Sequence, residues 1–219
     1  MIKLINLTKT FHLSGVSKTV VDDVTLTLPS RTSIGLLGRN GAGKSTLLRM
    51  IAGTHSPTSG RIEVEGSVSW PVGFAGSFHI DMSGAQNARY VARIYGVDSD
   101  ELVAFAQDFA ELGAHFHLPL RTYSSGMMSR LAFGVSMGIA FDTYLVDEVT
   151  AVGDANFRKK SHDLFLHRMR DAGAVVVNHA MPVIKELCTR VIVLEAGQLL
   201  WFDDVDEGIA RHNRNMQIA

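Results

Sequence analysis

Apolar and polar positions alternate over residues 2–7 and 20–28, which predicts antiparallel strands with one wet face. Residues 14–17 between them read as a loop, and Asp22-Asp23 as a bend or bulge. Residues 33–37 are a short apolar run, the pattern of a buried strand. Leu47, Leu48, Met50 and Ile51 then recur at helical spacing on a segment that ends near Gly53. A turn cluster at 56–60 leads to alternating strands at 61–66 and 68–70, the second stopped by Pro71, and Gly73 to Gly76 form a link.

From about 83 to 112 the period becomes helical. Val91, Ile94 and Tyr95 are expected to share one face, and Leu102, Phe105, Ala106 and Phe109 another, with Gly96 between the two helices. Residues 131–141 form an apolar stretch bracketed by Arg130 and Asp142, too short to span a bilayer and read as a buried helix. The α/β rhythm returns with strands at 143–146, 174–177, 190–194 and 198–202 and helices at 156–171, 182–187 and 205–213. The predicted architecture is one α/β domain over 1–219 with an antiparallel β portion and a helical lobe inserted at roughly 78–140.

The strand at 33–37 runs directly into Gly38-Arg39-Asn40-Gly41-Ala42-Gly43-Lys44-Ser45-Thr46, which fits the phosphate-binding pattern G-x-x-x-x-G-K-[ST]. Strand, glycine-rich loop and helix is the context this motif requires. The glycines let successive amides point into one concavity, and the helix N-terminus adds positive partial charge. Lys44 supplies a full charge for β- and γ-phosphates, and the Ser45 hydroxyl suits Mg²⁺. The core is thus expected to be a P-loop NTPase core.

Four later stretches add chemistry. The strand Tyr144-Leu145-Val146 ends in Asp147 and Glu148; Asp147 can hold the water shell of Mg²⁺ and Glu148 can polarise an attacking water. Ser124, Ser125 and Gly126 precede the long apolar helix, where a serine can cap the helix while amides face an anion. Ala151-Val152-Gly153-Asp154 reads as a turn, and His179 lies at a strand end.

Together these stretches resemble the ATP-binding cassette of ABC transporters, in the order P-loop, helical lobe, signature motif, acidic strand end, D-loop and switch histidine. The resemblance covers essentially the whole chain. It implies the ABC ATPase fold and bound ATP with Mg²⁺. It also implies a homodimer of cassettes on ATP binding, each ATP lying between one P-loop and the other chain's signature. Phe11 matches the aromatic that stacks on adenine, and Asp154 falls in the D-loop. Glu148 matches the general base and His179 the γ-phosphate sensor.

A narrower resemblance, to the cassettes of capsular polysaccharide exporters, rests on Ser69-Trp70-Pro71-Val72-Gly73-Phe74-Ala75-Gly76, Tyr123-Ser124-Ser125-Gly126-Met127, Arg130-Leu131-Ala132-Phe133-Gly134 and Val146-Asp147-Glu148-Val149-Thr150-Ala151-Val152-Gly153-Asp154. It implies export of such a polymer through a separate integral membrane permease subunit, at the cytoplasmic face of the inner membrane, without direct contact with the polysaccharide. O-antigen and teichoic acid exporters share the degenerate signature. Many carry an extra C-terminal sugar-binding domain, and the end of this chain soon after the cassette favours the capsule type. The sequence departs from the wider family at Ser125, which replaces a signature glycine, at Met127, and at His79, where a glutamine is expected. Ser83-Gly84-Ala85-Gln86-Asn87 also lacks an Arg-Glu pair common in relatives.

Composition narrows the rivals. A net charge of -1 gives no global attraction to nucleic acid, which weighs against a soluble ABC ATPase acting on ribosomes or DNA. No second cassette and no long coiled-coil insertion is present. The single cysteine, Cys188, excludes an internal disulfide framework. The first residues alternate like a strand and lack a signal-peptide pattern.

Overall fold

The computed structural model describes residues 1–13, 15–147 and 154–217, apart from the Leu13 side chain. These residues form two compact units. The first comprises the described parts of Met1–Pro71, Phe141–Glu148 and Asp171–Ala219, and the second those of Val72–Ala140 and Val149–Arg170.

In the first unit, β1 (Ile2–Leu13) and β2 (Val16–Leu28) pair antiparallel, and β4 (Ser59–Val64) pairs with the other edge of β1. The strands run further toward the hairpin tip than alternation suggested. Beyond Leu7 the tip carries His12, Ser17 and Lys18, polar side chains that blur the apolar period although the backbone ladder continues. The expected irregularity at Asp22-Asp23 is present: the register shifts between Leu7 and Lys9, and Asp23 has φ 46°.

A six-stranded sheet holds the remaining strands in the order β5-β6-β7-β3-β8-β9. These are β3 (Ser33–Gly38), β5 (Val68–Pro71), β6 (Thr143–Asp147), β7 (Gly173–Val177), β8 (Arg190–Glu195) and β9 (Gln198–Phe202). All neighbours are parallel except β8 and β9. Every residue of β7 is buried, as expected for a strand covered on both faces. Helices α1 (Lys44–Ile51), α6 (Met181–Leu187) and α7 (Val205–Gln217) complete the unit. Leu47 and Leu48 of α1 are 2% and 0% exposed, in one core with Leu36, Leu145, Val175 and Ile192. Each such leucine contributes roughly 1.5–3 kcal/mol of burial, which fixes the start of α1 against β3.

The second unit is helical: α2 (Gly84–Tyr95), α3 (Ser99–Ala110), α4 (Ser125–Gly138) and α5 (Ala155–Met169), with 3-10 turns at Gly113–His117 and Leu120–Thr122. Ser83 begins α2 with a reciprocal capping box to Gln86, and Gly96 ends it in the left-handed conformation. Leu102, Ala106 and Phe109 are buried, as their spacing predicts. One face was misassigned. Val91 is buried, but Ile94 and Tyr95 are 56% and 42% exposed, because the buried face of α2 runs through Asn87, Ala88, Val91 and Ala92. Among the described residues no helix is long and apolar enough to cross a membrane.

Candidate functional site

The phosphate-binding loop leaves β3, an inner strand of the six-stranded sheet, at its C-terminal edge. On that same edge β7, beside β3, leads to Asn178 and His179, and β6, beside β7, ends at Asp147. The topology alone therefore collects the loop, His179 and Asp147 along one edge, where ligands of parallel sheets bind.

Two glycines are dictated by space. Gly43 caps α1 with φ 115°, and an added Cβ would lie 2.7 Å from Val20 Cβ. At Gly38 an added Cβ would lie 2.7 Å from the Leu194 carbonyl oxygen. The first turn of α1 has no acidic side chain and no side-chain cap, so an approaching anion meets no competing carboxylate there. Lys44 is 8% exposed, and its Nζ donates to the carbonyls of Gly38 at 2.8 Å and Arg39 at 3.1 Å.

A cavity of about 730 Å³ opens over this loop. Asn40, Gly41, Gly43, Lys44, Ser45 and Thr46 line it, and so does His179. Phe11 and the β2 residues Val16, Lys18 and Val20 line it as well. Its size suits a nucleotide-sized ligand, and a lining that combines an aromatic ring, Phe11, with the loop residues and the cations Lys18 and Lys44 suits a base and its phosphates. Phe11 is 37% exposed, with Lys9 Nζ 5.1 Å from its ring centroid, so it is not a core aromatic. Gly38, Arg39 and Ala42 instead line a second cavity of about 300 Å³ with Glu195, His212 and Asn215. His212 is 7% exposed, and among the described residues its Nδ1 has no hydrogen-bond partner. Burial holds its pKa below the ordinary value, helped by the charges of Lys44 and His179. Neither Lys18 nor His212 was singled out from sequence. The available signal for Lys18 was the i, i+2, i+4 run Val16, Lys18, Val20, which puts a cation on the face that carries two valines.

The other predicted residues belong to the helical unit. Ser124 caps α4, its Oγ accepting from the Met127 amide at 3.2 Å. Ser124 and Gly126 border a cavity of about 380 Å³ with Met127 and Arg130, while Ser125 opens α4 and is exposed. Asp154 caps α5 by accepting from the Phe157 amide at 2.9 Å, and its other oxygen accepts from Arg130 at 2.7 Å. Those two bonds, the amide first, hold its carboxyl below the usual range. Arg130 also lies over the Phe157 ring at 4.5 Å, tying the start of α4 to the start of α5.

His79 is exposed, and its Nδ1 accepts from the Asp81 amide at 3.3 Å. Its backbone is gripped by Asn87, a residue 0% exposed that sequence reading passed over. The Asn87 Oδ1 accepts from His79 N at 2.8 Å, and its Nδ2 donates to the carbonyls of His79, Met82 and Ser83 at 3.1, 3.2 and 3.0 Å. A lone asparagine at a core position of an amphipathic helix was the available signal. Glu148 lies outside the described residues. Among the described residues no cluster of three or more His, Cys, Asp or Glu is arranged to hold a metal ion.

A glycine loop between an inner parallel strand and a helix, with a lysine at the helix start and a carboxylate two strands away, defines a P-loop nucleotide-binding protein. A sequence profile described as ABC transporter matches residues 21–151. The chain is 45% identical over 212 residues to the polysialic acid transport ATP-binding protein KpsT of Escherichia coli, covering 95% of each chain. It is 40% identical over 213 residues to the capsule polysaccharide export ATP-binding protein CtrD of Neisseria meningitidis serogroup B, covering 97% of this chain and 99% of CtrD. Among solved structures, the ATP-binding cassette MJ0796, dimeric in a post-hydrolysis state with ADP and Pi, superposes with a TM-score of 0.76. That likeness spans 91% of this chain and 96% of the other at 21% identity, and shows the fold. The chain belongs to the ABC transporter family and is one of its ATP-hydrolysing cassettes.

Proposed function

We propose that this chain powers export of a capsule-type polysaccharide through a separate membrane-spanning partner, to which it binds peripherally at the cytoplasmic face. The observation that carries this reading is the 45% identity to KpsT over 95% of both chains, a full-length match to a protein named for polysialic acid transport. In this reading neither nucleic acid nor the polysaccharide touches the chain.

The geometry supports the following roles. Phe11 stacks on the adenine, and the amides from Gly38 to Thr46 with the α1 N-terminus surround the phosphates. Lys44, whose Nζ donates to two loop carbonyls, redirects its N–H donors to the β- and γ-phosphate oxygens. Ser45 and Asp147 are hard oxygen donors, a pair that fits Mg²⁺ arriving on phosphate oxygens. The cation, when bound, neutralises charge on the transferred phosphoryl group. Glu148 takes a proton from water as the water attacks the γ-phosphorus, the bond to the bridging oxygen breaks, and ADP and phosphate remain. His179, on the cavity wall, senses the γ-phosphate.

Ser124, Ser125 and Gly126 close over the ATP of a second copy, with Asp154 at the junction of the two copies. ATP thus favours a closed homodimer, and hydrolysis releases it. That difference in affinity drives a bistable membrane partner. His79 stands in for a glutamine that would contact Mg²⁺ or its water and shift as that partner moves, since neutral histidine also offers one accepting and one donating nitrogen. Co-purification of the tagged chain from native membranes tests the reading. An untagged multi-spanning subunit is expected to come with it, and recovery with ribosomes or DNA and no membrane protein would overturn it.

A further inference from the structure

The cavity over the phosphate loop contains a second cation that no P-loop pattern includes. Lys18 lies on β2, the edge strand of the three-stranded sheet, directly opposite Phe11 in the β1–β2 register. Side chains at directly opposed positions project from the same face, with Cβ atoms about 4.5–5.5 Å apart. Lys18 reaches away from the hairpin to the loop, and its Nζ donates to the Gly41 carbonyl at 2.9 Å. Val20, two residues on along the same face, sits against Gly43 at the start of α1. The order across the cavity is therefore Phe11, then Lys18, then the loop and Lys44. A nucleotide with its base on Phe11 and its terminal phosphates at Lys44 passes Lys18 where the sugar joins the phosphate chain.

We propose that Lys18 grips the α-phosphate of the bound nucleotide, exchanging the Gly41 carbonyl for a phosphate oxygen. A neutral carbonyl is a weaker partner for an ammonium group than an anionic oxygen, so the exchange is favourable. Among the described residues Lys18 forms no ion pair, so no carboxylate has to be displaced. The group gripped is common to ATP and ADP. Lys18 therefore retains nucleotide through the cycle without distinguishing its two ends, whereas Lys44 serves the β- and γ-phosphates. The proposal rests on the nucleotide-site reading above.

The test is calorimetric titration of the full chain and its Lys18→Met and Lys18→Arg variants with MgATP, MgADP and pyrophosphate. Lys18 is exposed on an edge strand, so the variants should fold, which their melting curves check. Lys18→Met is expected to weaken ATP and ADP by the same factor, roughly 3- to 10-fold for one partly exposed charged hydrogen bond, and Lys18→Arg to recover most of it. Pyrophosphate affinity should not change. Unchanged ATP and ADP affinity in Lys18→Met would overturn the proposal. A parallel loss of pyrophosphate affinity would also overturn it, because Lys18 would then only brace the loop through Gly41. Failure of the underlying site reading looks different: the parent and Lys44→Met would bind ATP alike.

Discussion

Removing the Asn87 side chain should unfasten the segment that carries His79. Asn87 is 0% exposed and makes four hydrogen bonds, one accepted from His79 N and three donated to the carbonyls of His79, Met82 and Ser83. Asn87→Ala strands one amide hydrogen and withdraws the shared donor from three carbonyls. A net hydrogen bond contributes about 1 kcal/mol, and a buried polar group left unsatisfied costs about 1–3 kcal/mol. The total for this site is about 3–4 kcal/mol. At roughly 2–4 °C per kcal/mol for a chain of this length, the melting midpoint should fall by roughly 6–16 °C. Asn87→Asp sharpens the test. It keeps the acceptor for His79 N but, when ionised, turns a carboxylate oxygen toward three carbonyls, so it should be at least as damaging as alanine despite its near-identical shape. The assay is thermal unfolding followed by circular dichroism at neutral pH. An Asn87→Ala midpoint within 2 °C of the parent, or Asn87→Asp clearly milder than Asn87→Ala, would refute the reasoning.

Gly43→Ala combines an unfavourable φ of 115° with a 2.7 Å approach to Val20 Cβ, so it should reduce ATP affinity at least tenfold by displacing the loop; equilibrium binding checks this. Lys44→Ala should abolish turnover and weaken ATP binding, read by phosphate release and titration. Glu148→Gln should retain ATP binding and lower turnover by roughly 10²–10⁴-fold, with an ATP-dependent dimer persisting on size exclusion. His212 has a folded-state pKa below its unfolded value, so on acidification the unfolded chain takes up a proton before the folded one. Stability is therefore lost as pH falls through about 6.5, and the His212→Gln midpoint should fall less than the parent's between pH 7.5 and 6.

The local features of the site were legible in the sequence because each is a short pattern with a structural requirement. The loop from Gly38 to Thr46 needs a strand before it and a helix after it, and both were visible as apolar runs. Asp147 was found as the polar end of a buried strand, and Ser124 as a helix cap. What stayed hidden depends on pairing. Nothing near Lys18 points to Gly41, and only the β1–β2 hairpin and its placement beside the loop bring them to 2.9 Å. His212 joins the back of the loop from the last helix. Ile94 and Tyr95 show the opposite error, since apolar character alone did not put them in the core.

Export itself gives the most direct test. In cells that lack the chromosomal copy of this chain, surface polysaccharide is measured after expression of the parent or of Lys44→Ala at matched levels. The account predicts that the parent restores polymer at the surface, while Lys44→Ala leaves it inside the cell. Equal restoration by both, or surface polymer that never depended on the chain, would contradict it.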